Sequence, residues 1–67
     1  MRELAYTIYI EDERYSIPTL LFVSVTDEAA VRRIAREKLA EPHHLSVEVR
    51  DGETLLFNLG PSDKDIN

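Results

Sequence analysis

TDEAAVRRIAREKLA, residues 26–40, is the stretch that decides the fold, because its apolar residues recur at helical spacing. The apolar side chains on one side of the helical wheel are Ala30, Val31, Ile34, Ala35 and Leu39, and the basic ones on the other are Arg32, Arg33 and Arg36. Thr26 is the predicted N-cap. Pro42 disfavours helical geometry in the residue before it, so the helix is expected to end near Leu39 or Ala40. The sequence therefore predicts one amphipathic helix that packs on a sheet.

Two strands are predicted before this helix. Residues 4–10 alternate between more and less apolar side chains, and residues 15–25 are rich in β-branched and aromatic residues. A polar loop, residues 11–14, would join them as a hairpin with Ile10 opposite Tyr15. Pro18 cannot donate a hydrogen bond to a strand ladder, so the second strand is expected at a sheet edge or at a bulge.

Two further strands are predicted after the helix. Leu45, Val47 and Val49 alternate with polar residues and are expected to face inward. A three-residue loop, residues 50–52 with left-handed Gly52 in a bulge, would pair Val47 with Leu55 and Leu45 with Phe57.

The predicted fold class is α+β, with the order ββαββ and one helix packed on one face of a four-stranded sheet. The first and fourth strands are the most apolar and are expected at the centre, while Pro18, Glu48 and Arg50 favour edges for the other two, which indicates the order 2-1-4-3. This layout is similar to that of the β-grasp fold of ubiquitin-like proteins and small immunoglobulin-binding domains, in arrangement only. Residues 1–60 are expected to form one domain and residues 61–67 a disordered tail.

Length and composition restrict the class of protein. A chain of 67 residues is near the lower limit for a single core without metals or disulfides, so oligomerisation is expected. It contains no cysteine, which excludes thiolate chemistry and fits a reducing compartment. Acidic residues interrupt the early apolar run, so neither a signal peptide nor a membrane span is expected, and the chain is expected to be soluble and cytoplasmic. Its net charge of −5 makes nucleic acid an unfavourable partner.

No motif indicates catalysis, a cofactor or a metal. The adjacent His43 and His44 would point in opposite directions in an extended segment, so they are expected to form a helix-to-strand loop. The acidic residues at 11–13, 51 and 53 lack the spacing of a calcium loop or a catalytic pair. Ser16, Ser24 and Ser46 lack a nucleophile context, and so small a chain has little volume to enclose a substrate. We therefore expect no enzyme, no cofactor and no small-molecule substrate.

The sheet face opposite the helix is the predicted interaction site. It should display an apolar set that a soluble protein rarely leaves bare. The predicted partner interface is Tyr9, Leu20, Phe22 and Leu56, with Ala5 and Thr7 on the same face. In the alternative arrangement, a bulge near Pro18 turns Leu20 and Phe22 into the core.

Three functions follow from these surfaces. The preferred hypothesis is a protein-interaction module that forms a homodimer through the open sheet face. A second is an acidic inhibitor that binds a basic protein groove by mimicking nucleic acid. A third is weak nucleic-acid or phosphate binding by Arg32, Arg33 and Arg36, although Glu28 and Glu37 are placed to pair with two of these arginines.

Overall fold

The computed structural model describes residues 3–62, and within them the chain follows the predicted order of elements. The elements are β1 (Leu4–Asp12), β2 (Thr19–Val25), α1 (Glu28–Ala40), β3 (His44–Asp51) and β4 (Thr54–Leu59). The strands form one sheet with the helix packed on one face, which confirms the predicted α+β class. Residues 63–67, most of the predicted tail, lie outside the described residues.

The strand order is 2-1-3-4, so the predicted order 2-1-4-3 and its β-grasp layout are wrong. β1 and β3 lie side by side at the centre, and all neighbouring strands are antiparallel. Glu48 and Arg50 indicated an edge for β3, but they lie on the face without the helix, where they form an ion pair and stay partly exposed. The other side of β3 carries Val47 and Val49, which are fully buried, as a central strand requires.

The first hairpin has a longer connection than predicted. β1 extends to Asp12 and residues 13–18 lead to β2, so Ile10 lies opposite Thr19 instead of Tyr15. The register is thus displaced by four residues, an even number, and the side chains of β2 keep the faces predicted for them. β2 occupies a sheet edge, as Pro18 predicted, and Pro18 directly precedes the strand.

The second hairpin turns at Gly52 and Glu53, with Asp51 opposite Thr54. Gly52 has a φ of 63°, which confirms its predicted left-handed conformation. The predicted loop over residues 50–52 is wrong, because Arg50 and Asp51 both belong to the ladder.

Two bulges determine where the apolar side chains of this hairpin point. Leu56 of β4 has no partner in the ladder with β3, and Leu45 of β3 has none in the ladder with β1. An extra residue in one strand changes the face of the side chains beside it. Leu56 therefore packs against the core, while Leu55 and Leu45 are exposed, so the predicted orientations of all three are wrong.

The helix begins after a different cap from the one predicted. The carboxylate of Asp27 accepts a hydrogen bond from the backbone N–H of Ala30 at 2.8 Å, so Asp27 is the N-cap and Thr26 lies outside the helix. The helix ends at Ala40, as predicted, and the residue before Pro42 is extended.

The core lies between the helix and the two central strands. Three buried helix residues meet the inward side chains of β1 and β3. The buried apolar residues are Tyr6, Ile8, Ile10, Val31, Ala35, Leu39, Val47 and Val49. The open face of the sheet, on the other side, has no covering layer in the described part of the chain.

Candidate protein-interaction surface

The open face is arranged in rows that cross all four strands. One row is Phe22, Thr7, Arg50 and Leu55, and the next is Leu20, Tyr9, Glu48 and Asn58. The face is therefore apolar on the side of β2 and charged on β3. The apolar half adjoins a sheet edge, where a partner can reach it.

Three exposed apolar side chains lie on β2 or just before it, and we call them the β2 patch: Ile17, Leu20 and Phe22. Phe22 is 78% exposed, Ile17 73% and Leu20 46%. The regular register of β1 with β2 places Phe22 opposite Thr7 and Leu20 opposite Tyr9, so the alternative that turned Leu20 and Phe22 into the core is excluded. Because burial of apolar surface is favourable, a partner that covers this phenylalanine gains hydrophobic free energy of binding.

Tyr9 joins the apolar and charged halves of the open face. Its ring is half-buried beside Leu20, and the guanidinium carbon of Arg50 lies 5.5 Å from the ring centroid. The ion pair with Glu48 raises the pKa of Arg50 and keeps its side chain over the sheet. Of the four predicted interface residues, Tyr9, Leu20 and Phe22 lie on this face, and Leu56 does not.

The connection between β1 and β2 extends the surface. Residues 13–18 fold toward the open face and leave a cleft of about 710 Å³ against β1 and β3. Its apolar lining comprises Tyr9, Tyr15, Ile17, Pro18 and Leu45. The sequence pattern did not indicate the cleft, because Tyr15 and Ile17 were predicted to lie in a paired strand. The apolar surface thus continues from β2 onto one end of the sheet.

A buried carboxylate anchors this connection. Asp12 is 2% exposed, and it accepts hydrogen bonds from the backbone N–H of Arg14 at 2.9 Å and from its guanidinium at 2.7 and 3.0 Å. These bonds hold the pKa of Asp12 well below its ordinary value. His44 Nε2 lies 3.5 Å from the same carboxylate, while His44 Nδ1 donates to the Lys38 carbonyl at 2.6 Å. Asp12 thus connects β1, the connection and β3.

The neighbouring histidine has different partners. His43 has a φ of 75°, and its Nδ1 lies 2.7 Å from a carboxylate oxygen of Glu13, whose backbone N–H donates to the His43 carbonyl at 2.8 Å. His43 and His44 therefore face different carboxylates. The predicted extended loop is wrong for both, because His43 is left-handed and His44 is the first residue of β3. Within residues 3–62, no group of three or more metal-binding side chains comes together.

The acidic residues at the end of β1 and directly after it each have a separate partner. Glu11 accepts a hydrogen bond from the Ser46 hydroxyl at 3.0 Å, while Asp12 and Glu13 face the partners described above. Asp51 and Glu53 lie at the β3–β4 turn. Glu11, Asp12 and Glu13 line the cleft together with Glu48, which is paired with Arg50. Each of these four carboxylates thus has its own hydroxyl or basic partner.

The three helix arginines that were predicted to bind an anionic partner differ in their surroundings. Arg32 pairs with Glu28 at 2.8 Å, and its guanidinium carbon lies 4.3 Å from the centroid of the Phe57 ring. Arg33 and Arg36 are exposed, and the described residues show no ion pair between Arg33 and Glu37. Arg32 thus covers the core beside β4, and two arginines remain on the outer face of the helix.

Comparison with known proteins supplies no relative for this chain. No family model matches the sequence, and no curated protein or solved structure matches it significantly. Within residues 3–62, no helix has the length and apolar character needed to cross a bilayer.

Proposed function

We propose that the protein is a small cytoplasmic protein-interaction module that associates with a second copy of itself through the β2 side of its open sheet face. The observation that carries this proposal is the β2 patch, and above all Phe22 at 78% exposure. The cysteine-free composition supports the cytoplasmic location.

The distribution of apolar surface favours binding to a protein. Phe22 and Leu20 lie on a regular strand, so their backbone is ordered before a partner arrives and little backbone entropy is lost on binding. Burial of one such side chain contributes roughly 1.5–3 kcal/mol. Tyr9 and the Glu48–Arg50 pair supply the polar border that interfaces place around an apolar centre.

Size and charge favour a second copy as the partner. Within residues 3–62 the core contains eight buried apolar residues, and chains of this length commonly gain stability by oligomerisation. Each copy has a formal charge of −5, so two copies repel each other in most relative orientations. The β2 patch contains no charged residue and is a surface where this repulsion is small.

Sedimentation over a range of concentrations tests the proposal with Phe22→Glu and the matched control Ala29→Glu. Ala29 is exposed on the helix, and its replacement adds the same charge away from the open face. We expect the wild type and Ala29→Glu to form dimers, and Phe22→Glu to weaken the dimer at least tenfold while its circular dichroism stays that of a folded chain.

Either of two results would contradict the proposal. One is a wild-type chain that stays monomeric at every concentration. The other is a Phe22→Glu chain that dimerises as tightly as Ala29→Glu.

A further inference from the structure

We propose that β2 pairs antiparallel with β2 of a second copy, about a two-fold axis at Phe22, so that two four-stranded sheets become one continuous sheet of eight strands. This inference rests on the proposed self-association and specifies its geometry. The partner is recognised by backbone hydrogen bonds along the edge as well as by the β2 patch.

The outer edge of β2 offers unpaired backbone groups. In the described part of the chain, β2 has a strand neighbour on one side only, which is β1. In an edge strand, alternate N–H and C=O groups point away from the sheet and are available to another strand. β2 spans Thr19–Val25, and all seven of its residues pair with β1 in an unbroken register. The outer edge is therefore regular as well.

β2 lacks the features that normally prevent edge pairing. Proteins protect exposed edges with charged side chains, internal prolines, bulges or very short strands. The sequence of β2, TLLFVSV, contains no charge and no proline, and the strand has no bulge. β4 is the other edge of the sheet and is likewise uncharged, but the bulge at Leu56 interrupts it. β2 is therefore the better template.

The helix side of β2 is also incompletely covered. Leu21, Val23 and Val25 point toward the helix layer but are only half-buried. Arg32 lies over Phe57 of β4, so the side of the helix that carries Ile34 faces β2, and Ile34 is half-buried too. A second copy of β2 added at this edge would contact apolar side chains of β2 on both sides of the sheet.

The strand is complementary to itself about its middle residue. In a two-fold pairing at Phe22, each Leu20 lies opposite the partner's Ser24, and each Leu21 opposite the partner's Val23. No pair opposes like charges, which antiparallel neighbours avoid. The two Phe22 rings meet on the open face at a cross-strand distance that favours aromatic contact.

Directed disulfide formation tests this register, since the chain has no cysteine of its own. Leu20→Cys and Ser24→Cys chains, mixed in equal amounts and oxidised mildly, should form a covalent heterodimer, because directly opposite Cβ atoms come within about 5.5 Å. Each variant alone is the matched control. In a dimer of one variant, the cysteines of the two copies lie about 13 Å apart along the paired strands. Each variant alone should therefore form no cross-link.

Hydrogen exchange and a second substitution separate this inference from the proposed function. The outward amides of β2 should become protected as the wild-type chain dimerises, and Leu55→Glu should leave the dimer intact because β4 lies far from the axis. A dimer without cross-links or β2 protection, or one that Leu55→Glu dissociates, would overturn edge pairing while leaving self-association in place. A chain that never dimerises would overturn both.

Discussion

At the scale of single residues, Asp12 holds the connection between β1 and β2 in place. It is the most buried acidic residue in the described part of the chain, and Arg14 satisfies both of its oxygens. A buried carboxylate costs free energy unless charged or hydrogen-bonded partners surround it. Because Arg14 belongs to the connection, folding this ion pair also folds residues 13–18 toward the open face. The cleft and the position of Ile17 therefore depend on a carboxylate that lies beneath them.

The pH dependence of stability should show the contribution of Asp12. Its pKa in the folded chain lies below the ordinary value of 3.8, so the ionised form stabilises the fold above that pH, and this stabilisation is lost as the pH falls from about 4. Asp12→Asn should therefore lower the urea midpoint at pH 7, and the difference from wild type should shrink between pH 4 and pH 2.

The matched control for this measurement is Asp51→Asn, which removes an exposed carboxylate at the distant hairpin turn. It should change the midpoint little at any pH. A constant difference between wild type and Asp12→Asn from pH 7 to pH 2 would show that Asp12 does not act through its charge.

At the scale of elements, the N-terminus of the helix has two neighbouring candidates for the N-cap. Thr26 and Asp27 each have a side-chain oxygen, and the residue types alone do not decide between them. The structure places the Asp27 carboxylate on the N–H of Ala30, with Glu28 in the first turn. The assignment depends on where β2 ends, which the sequence specifies only approximately.

Substitution of the two candidates gives different expected losses. Asp27→Ala should lower the free energy of unfolding by about 1 kcal/mol, because the N–H of Ala30 loses its acceptor and the helix dipole loses a favourable charge. Thr26→Ala should change it by less than about 0.5 kcal/mol. Urea unfolding of both variants measures the difference in the free energy of unfolding. Equal losses in the two variants would contradict the assignment of the N-cap to Asp27 rather than Thr26.

The strands show which features the sequence determines. The inward and outward sides of β1 and β2 were predicted correctly even though the register was wrong, because apolar alternation reports the face and not the partner. The bulges at Leu45 and Leu56 were not predicted. The three consecutive apolar residues 55–57 break the alternation of β4, but they do not show which of the three lacks a partner in the ladder. Leu56 consequently appeared in the predicted interface, and Leu55 did not.

At the scale of the whole molecule, the strand order was the main error. Charged residues on β3 were interpreted as a sign of an edge, but a sheet with one bare face can hold Glu48 and Arg50 at its centre without burying them. The sequence did predict Leu20 and Phe22 on the open face. Their role in association remains a prediction.

The net charge of the molecule gives that role a further test. Added salt screens repulsion between two chains that each carry −5, so dimerisation should tighten several-fold from about 50 mM to about 500 mM salt. Sedimentation at a fixed protein concentration measures this change. An acidic inhibitor that binds a basic groove behaves oppositely, because screening weakens its attraction. A dimer that dissociates in high salt would therefore favour an association driven by charge.

The bulge in β4 determines how far such an assembly can grow. A sheet with two equally receptive edges can add copies without limit, β2 of one chain against β4 of the next, and produce a fibre. In this protein the residue without a partner, Leu56, lies in the edge that would continue the stack. Pairing of β2 with itself uses up the receptive edge of both copies at once. In the proposed dimer, the bulge in β4 would therefore prevent the addition of further copies, and the assembly would end at two chains.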